Sequence, residues 1–393
     1  MDKTKKIISN IVLLGLVSLF IDMSTEMVYP LIPLYLTAAL GASPAIVGII
    51  EGVAESIASL LKVFSGYIGD VRQNKKKLVF TGYAASAIYK LLLLVSTSWA
   101  GVLAARIVDR TGKGIRTAPR DALVAQSCGG RKMGGAFGLH KMLDMAGSAA
   151  GALLAFGFIA TGFGYQSAFL WSIVPAIIGL IIIFAVREEQ CEKAPRERFS
   201  LKGVKLDKHI KLYLGVIFFF CLGNSSNAFL LLKAQESGFT AAEVILLYLV
   251  FNAAASALAF PFGKLSDRFG RSRVLVPGYI IYGLVYLGFA LIASKEATIA
   301  LFVLYGAYTA LISGAERALI AEAAPAQYKG TVLGLYGMLQ GIGLLLSSII
   351  AGALWDALGS DAPFLLGGGI GLVSALLAAI VLRKRDSKTA AIA

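Results

Sequence analysis

Residues 99–121 read Trp99-Ala-Gly-Val-Leu-Ala-Ala-Arg106-Ile-Val-Asp109-Arg110-Thr-Gly112-Lys113-Gly-Ile-Arg116-Thr-Ala-Pro-Arg120-Asp121. The stretch continues an apolar run yet is heavily charged. At about 100° per residue on a helix, Arg106, Asp109, Lys113, Arg116 and Arg120 fall within roughly an 80° wedge. Two readings are open. The stretch is either a solvated segment that follows a membrane helix, or a membrane helix whose ionic stripe lines an internal cavity. Facing lipid near the bilayer centre, each charge would cost about 2.5–3.5 kcal/mol. The stripe therefore faces protein or water, and an internal repeat favours the second reading.

Working outward, the chain of 393 residues is 57% hydrophobic and only 15% charged, with a mean hydropathy of +0.76. Soluble domains are rarely this apolar. Apolar runs about 20 residues long recur without strict alternation, which indicates spanning helices and excludes a β-barrel. The net charge of +14 comes from 37 Lys+Arg against 23 Asp+Glu. Basic cytoplasmic loops explain that excess better than nucleic acid does, so no nucleic-acid partner is expected. Cys128, Cys191 and Cys221 form no metal-spaced pair, so neither a zinc site nor a disulfide framework is indicated. The start, Met1 to Phe20, has the basic-then-apolar order of a signal peptide. Its apolar character runs past Asp22 and Glu26 to Leu36, which reads as a retained first membrane helix.

Twelve helices are expected at about 9–37, 44–69, 77–97, 99–121, 135–160, 165–186, 211–232, 240–264, 273–293, 297–321, 329–353 and 362–383. The expected fold is an all-α polytopic membrane protein. Its domains are an N-terminal six-helix bundle (1–186), a charged cytoplasmic linker (187–210) and a C-terminal six-helix bundle (211–393). Lys3, Lys5, Lys6, Arg72, Lys75 to Lys77, Arg131, Lys132, the linker, Arg268, Arg271, Arg273, Lys329 and Arg383 to Arg385 fall on one side. Only Lys233 and Lys295 fall on the other, which places both termini in the cytoplasm.

The halves repeat. Gly66-Tyr-Ile-Gly-Asp70 returns as Gly263-Lys-Leu-Ser-Asp267 at an offset of 197, and Ala122-Leu-Val-Ala125 as Ala318-Leu-Ile-Ala321 at 196. Gly138 and Gly147 return as Gly334 and Gly343 with the same spacing. Three matches in register argue for duplicated six-helix units.

Gly263-Lys-Leu-Ser-Asp267-Arg268-Phe-Gly270-Arg271-Ser-Arg273 resembles the signature that the major facilitator superfamily carries between helices two and three and again between eight and nine. The resemblance covers nearly the whole chain. It implies that Gly263 and Gly270 allow close helix contact, that Asp267 caps a neighbouring helix N-terminus, and that Arg268 and Arg271 tie that carboxylate into a cytoplasmic lock. The N-terminal copy keeps Gly66 and Asp70 but has Val71, Gln73 and Asn74 where the other has Arg268, Gly270 and Arg271. Arg106 to Gly112 resembles the family's helix-four motif, whose arginine is implied in proton coupling or substrate contact. Arg110 stands there where glycine is usual. Gly138, Gly147 and Gly151 resemble the helix-five antiporter motif, with Ala152 in place of its proline. The runs Phe20 to Pro30 and Gly112 to Asp121 look like those of a prokaryotic subgroup whose substrates are mostly unassigned.

Further charges lie inside the expected spans. Helix one carries Asp22, Glu26 and Tyr29, helix two Glu51 and Glu55, helix three Lys90, and helix five His140, Lys141 and Asp144. Carboxyls that change state between burial and neighbouring cations make a proton relay. The alternative is a static set of ion pairs. Asp22, Glu26, Asp109 and Asp144 are the candidate proton carriers. Arg106, Lys113 and Arg116 are candidates for tuning them or holding an anionic group. His140 and Asp144 lie one turn apart, but Lys141 beside them argues against a metal. In the C-terminal half, Asp109 maps to Tyr305, Lys113 to Thr309, Arg116 to Ile312, His140 to Tyr336 and Asp144 to Gln340. With Asn224, Asn227 and Asn252, that half offers neutral hydrogen bonds and aromatic surface. Its intramembrane charge is mainly Glu316 and Arg317, near the cytoplasmic end.

The function expected is secondary active transport of a small organic solute by alternating access around a site near the midplane. The transporter would be proton-coupled, monomeric and set in the inner membrane, with the proton gradient as energy source and no cofactor. Efflux is preferred over uptake of an organic anion. A non-transporting receptor or scaffold is the reading from another class. No nucleophile–base pair or phosphate-cradling loop marks an enzyme.

Overall fold

A computed structural model describes residues 3–72, 74–127, 133–188, 208–292, 294–323 and 329–390. Every regular element among the described residues is helical. In order they are α1 (Lys3–Glu26), α2 (Leu31–Leu34) continued by a π-helical turn Tyr35–Ala39, α3 (Pro44–Arg72), α4 (Lys75–Val95), α5 (Trp99–Ser127), α6 (Met133–Ala160) and α7 (Gly164–Ala185). Then follow α8 (Lys208–Gly223), α9 (Asn227–Glu236), α10 (Ala241–Phe269), α11 (Ser272–Leu291), α12 (Lys295–Ala323), α13 (Lys329–Leu358) and α14 (Ala362–Ala390).

Among the described residues, eleven segments are long and apolar enough to cross a membrane, two of them made of paired helices: Asn10–Ala39 and Lys208–Glu236. α5, expected as a span, carries too many charges to be among them. It nevertheless packs along α4 over its length.

The first and seventh spans correct the expectation of continuous helices over 9–37 and 211–232. The chain turns at 27–30 between α1 and α2, and leaves helical geometry at 224–226 between α8 and α9. Pro30 lacks the N–H that would continue the first ladder. In the second, the polar run Asn224-Ser225-Ser226 competes for the backbone. Ser226 then caps α9, its hydroxyl accepting from the Ala228 N–H at 3.3 Å. The two breaks stand 197 residues apart, an offset that the sequence repeat also shows. Irregular backbone at this depth is tolerated only where protein or a water-filled cavity covers it.

Other ends extend beyond expectation. α5 runs through Pro119 to Ser127, and α10 runs through Pro261 to Phe269. Thr240 and Glu243 start α10 with a reciprocal capping box, and Gly270 ends it at φ +90°.

The chain divides into two compact units. One comprises Met1–Ala42 and Val53–Phe199, the other Ser43–Gly52 and Ser200–Ala393. Residues 189–207 of the expected linker lie outside the described residues. The first turns of α3 group with the second unit. In the first unit α1 packs on α6 and α7, and α4 on α5 and α7. In the second, α8 packs on α13 and α14, α10 on α12, and α11 on α12 and α14.

Candidate functional site

In the first unit, α4 and α5 cross closely at two glycines. A Cβ on Gly112 would lie 2.4 Å from the Gly82 carbonyl oxygen. That approach seats the ionic face of α5 against α4 and α3. Arg106, Asp109, Arg110 and Arg116 are all buried, while Lys113 and Arg120 are partly so. The Ser86 hydroxyl donates to Asp109 Oδ1 at 2.7 Å, and Arg116 Nη1 donates to Ser86 Oγ at 2.7 Å. Arg110 meets Glu55 Oε1 at 3.0 Å through Nη1 and Asp109 Oδ2 at 3.7 Å through Nε. Lys113 also interacts with the Glu55 charge. The break after α1 sets the Tyr29 ring 5.4 Å from the Arg106 guanidinium and 5.6 Å from that of Arg110. Arg116 lies 4.9 Å over Tyr83. Such contacts strengthen when both partners are desolvated.

Arg110 lies about 100° from Asp109 around the helix, so the sequence wedge left it out. Its length carries the guanidinium to Glu55. The signal was present in the sequence as an arginine beside an aspartate where the family motif has glycine.

A second group forms where α6 lies on α1. A Cβ on Gly147 would be 2.1 Å from the Leu19 carbonyl oxygen, so no other side chain permits this approach. One turn away, the Asp22 and Asp144 carboxyls face each other closely enough to interact directly. Two ionised carboxylates only accept and repel, so a hydrogen bond between such groups forms when one of them carries a proton. Ser18 Oγ and His140 Nε2 are 3.0 Å apart. Arg120 donates to Ser18 Oγ at 3.3 Å, approaches Asp144 at 3.9 Å and pairs with Asp121 at 3.0 Å. Glu26 is partly buried and lies beside Gly151. The side chain of Lys141 lies outside the described residues. Lys90 on α4 is fully buried, 5.4 Å from the Tyr89 ring centre. Its ammonium has no hydrogen-bond acceptor among the described residues.

In the second unit the matching positions are neutral and aromatic. Tyr305 donates to Asn227 Oδ1 at 2.9 Å, and Asn224 Nδ2 donates to the Tyr308 hydroxyl at 3.1 Å. The Tyr282 ring stacks near Tyr286 at 4.2 Å and Tyr308 at 4.9 Å. Asn252 instead donates to the Tyr248 carbonyl of its own helix at 2.8 Å. Glu51, at the start of α3, accepts from Ser226 Oγ at 3.4 Å. Sequence reasoning left Glu316 out of the candidate set. It is 1% exposed and accepts from the hydroxyls of Tyr279 and Tyr336, the latter at 2.7 Å and itself receiving Gln340 Nε2 at 2.7 Å. A lone carboxylate in the apolar run of α12 was the signal for it.

At the signature turn, Gly263 is partly buried within α10, Arg268 is exposed and lies 5.5 Å over the Phe269 ring, and Arg271 bonds Ser266 Oγ at 2.9 Å and Glu322 Oε1 at 2.7 Å. The side chains of Gly66, Asp70 and Asp267 lie outside the described residues, so the expected pairing with Asp267 does too. Among the described residues no group of three or more His, Cys, Asp or Glu is placed to hold a metal.

Spanning helices in two units, interrupted at matched positions and carrying ion clusters inside, define a multi-pass membrane protein of the transporter kind. Residues 14–225 and 212–393 each match the Major Facilitator Superfamily, and the chain belongs to that family of secondary transporters. It is 35% identical over 383 residues to the uncharacterized MFS-type transporter MJ1317 of Methanocaldococcus jannaschii, covering 96% of both chains. It is 24% identical over 376 residues to the inner membrane transport protein YajR of Escherichia coli, covering 91% of this chain and 78% of that one. A mutant of the nucleoside transporter NupG superposes with a TM-score of 0.82 at 12% identity, covering 94% of this chain and 99% of the other. The peptide transporter POT in complex with sulfate gives 0.79 at 12% identity, covering 98% of each. At these identities the structures speak for the fold.

Proposed function

We propose that the protein is a proton-coupled transporter of a small organic solute, working by alternating access in the inner membrane as a monomer with both termini in the cytoplasm. The observation that carries the proton coupling is the direct apposition of the Asp22 and Asp144 carboxyls. Two carboxyls in that contact share one proton, and losing it sets like charges against each other, which separates them. Arg120 stands by to pair with the carboxylate released. Asp109 has a different part: Ser86 and Arg110 hold it as a fixed anion. The short chain, the twelve spans and the glycines of α6 favour efflux.

Uptake of an organic anion is the second reading, and Lys90 favours it. A buried ammonium without an acceptor is a ready partner for an anionic group.

The test is transport by the purified protein in liposomes, with anionic, cationic and neutral solutes under an imposed pH gradient. Proton-coupled efflux predicts solute movement against the proton flow. Flux indifferent to the gradient overturns proton coupling, and flux of cations alone overturns the anion reading.

A further inference from the structure

We propose that Glu316 is a second proton-binding site of the transporter, served by a file of tyrosine hydroxyls. The inference rests on the proton-coupled reading above and adds a titrating group in the other unit. Glu316 is buried on α12. Five side chains from four helices form the file: Tyr213 (α8), Tyr279 (α11), Glu316 (α12), and Tyr336 and Gln340 (α13). The Tyr213 and Tyr279 hydroxyls are 3.2 Å apart, Tyr279 and Tyr336 each reach one oxygen of Glu316, and Gln340 reaches Tyr336.

Cations instead hold the buried Asp109 and the half-buried Glu55. Glu55 and Asp109 face Arg110 and stay ionised through it. Glu316 receives its described hydrogen bonds from neutral hydroxyls. Of the titratable groups facing it, Tyr279 comes from α11, Tyr336 from α13, Cys221 from α8 and Tyr308 from α12 itself. Arg317, the next residue, is exposed. α10 packs along α12 through Phe251 on Tyr305, with Lys264 and Arg268 exposed near its end.

Both charge states of Glu316 are satisfiable in this file. As a carboxylate it accepts from Tyr279 and Tyr336. As a carboxyl it donates to the Tyr336 oxygen, and the Tyr336 hydroxyl then donates to Gln340 Oε1, which a flip of that side-chain amide brings round in place of Nε2. Hydroxyl donors rotate freely between such arrangements. A proton taken up from one face is released to the other, and the hydrogen bonds of Tyr336 and Gln340 are re-aimed between the two states. Gln340 is only partly buried, which makes it the outer end of the file. At the repeat offset of 196, Glu316 stands where the first unit has Arg120 and Gln340 stands where it has Asp144. Each unit therefore carries an ionisable group at the same place, with opposite sign.

Infrared difference spectra of the purified full-length protein across a pH titration test this directly, read in the carboxylic C=O stretch. One titrating band is expected to vanish in Glu316→Gln and persist in Asp22→Asn. In Tyr336→Phe, with one donor to the carboxylate removed, its midpoint is expected to rise by about one pH unit. Bands unchanged in Glu316→Gln overturn the proposal, as does an unmoved midpoint in Tyr336→Phe. In liposomes, gradient-driven flux of Glu316→Gln is expected to be lost, while solute exchange without a gradient persists. If Asp22→Asn abolishes gradient-driven flux and Glu316→Gln does not, this inference fails and the coupling reading stands. If the wild type ignores the gradient, the coupling reading fails, and the spectra still decide whether Glu316 binds a proton.

Discussion

The Arg110 guanidinium on α5 meets the Glu55 carboxylate on α3 at 3.0 Å, with 2% of the arginine side chain exposed. Breaking a pair of this kind strands a buried charge, at a cost of about 3–5 kcal/mol. Arg110→Ala is expected to lower the thermal midpoint of the purified protein accordingly. The double variant Arg110→Met with Glu55→Leu is expected to recover part of the loss, because Glu55 is no longer left behind while the buried Asp109 still loses the Arg110 guanidinium. A single variant as stable as wild type would show that the pair holds nothing together.

Asp22→Asn and Asp144→Asn each preserve a hydrogen bond between the two side chains but fix its proton. Both variants are expected to fold, to bind solute and to lose gradient-driven flux. The flux of the wild type is expected to depend on pH, and that of the variants to be flat. Liposome uptake measured across a pH series decides it. A variant that keeps the wild-type pH profile removes the acid pair from the mechanism.

Gly147 admits no side chain: an added Cβ would sit 2.1 Å from the Leu19 carbonyl oxygen. Gly147→Ala must push α6 off α1, an overpacking cost of about 1–3 kcal/mol, and Asp144 moves with it. Lower thermal stability and a weakened pH response are expected together. Gly157 lies on the same helix with nothing within 4 Å of its added Cβ. Gly157→Ala is therefore the control, expected to match or slightly exceed wild-type stability. Equal behaviour of the two variants contradicts the close contact.

Lys90 carries a buried ammonium without a described acceptor, and such groups lower stability. Lys90→Met keeps the length and removes the charge. Its thermal midpoint is expected to equal or exceed that of wild type, while transport of an anionic solute falls about tenfold, the loss of one modest charge contact. Initial rates and melting curves on the same preparation test both halves of this statement. A destabilised variant with full transport would make Lys90 a structural residue.

Apolar runs, basic loops and the repeat by themselves determined that this chain spans a membrane many times in two related halves, because burying backbone in lipid leaves no other solution for such a composition. They also marked α5 as an inward-facing ionic helix, since lipid does not accept its charges. Only the tertiary structure decided where helices break and which charge meets which. Pro30 coincides with a break, whereas α5, α7, α10 and α11 run through Pro119, Pro175, Pro261 and Pro277. A helix runs on through a proline where neighbouring elements satisfy the backbone groups it frees, and neighbours are not written locally. The partnerships Arg110–Glu55, Asp22–Asp144 and Glu316 with its tyrosines join residues far apart in the chain. They depend on how closely two helices approach, and a contact such as Gly147 against Leu19 sets that distance by sterics that no single helix reveals.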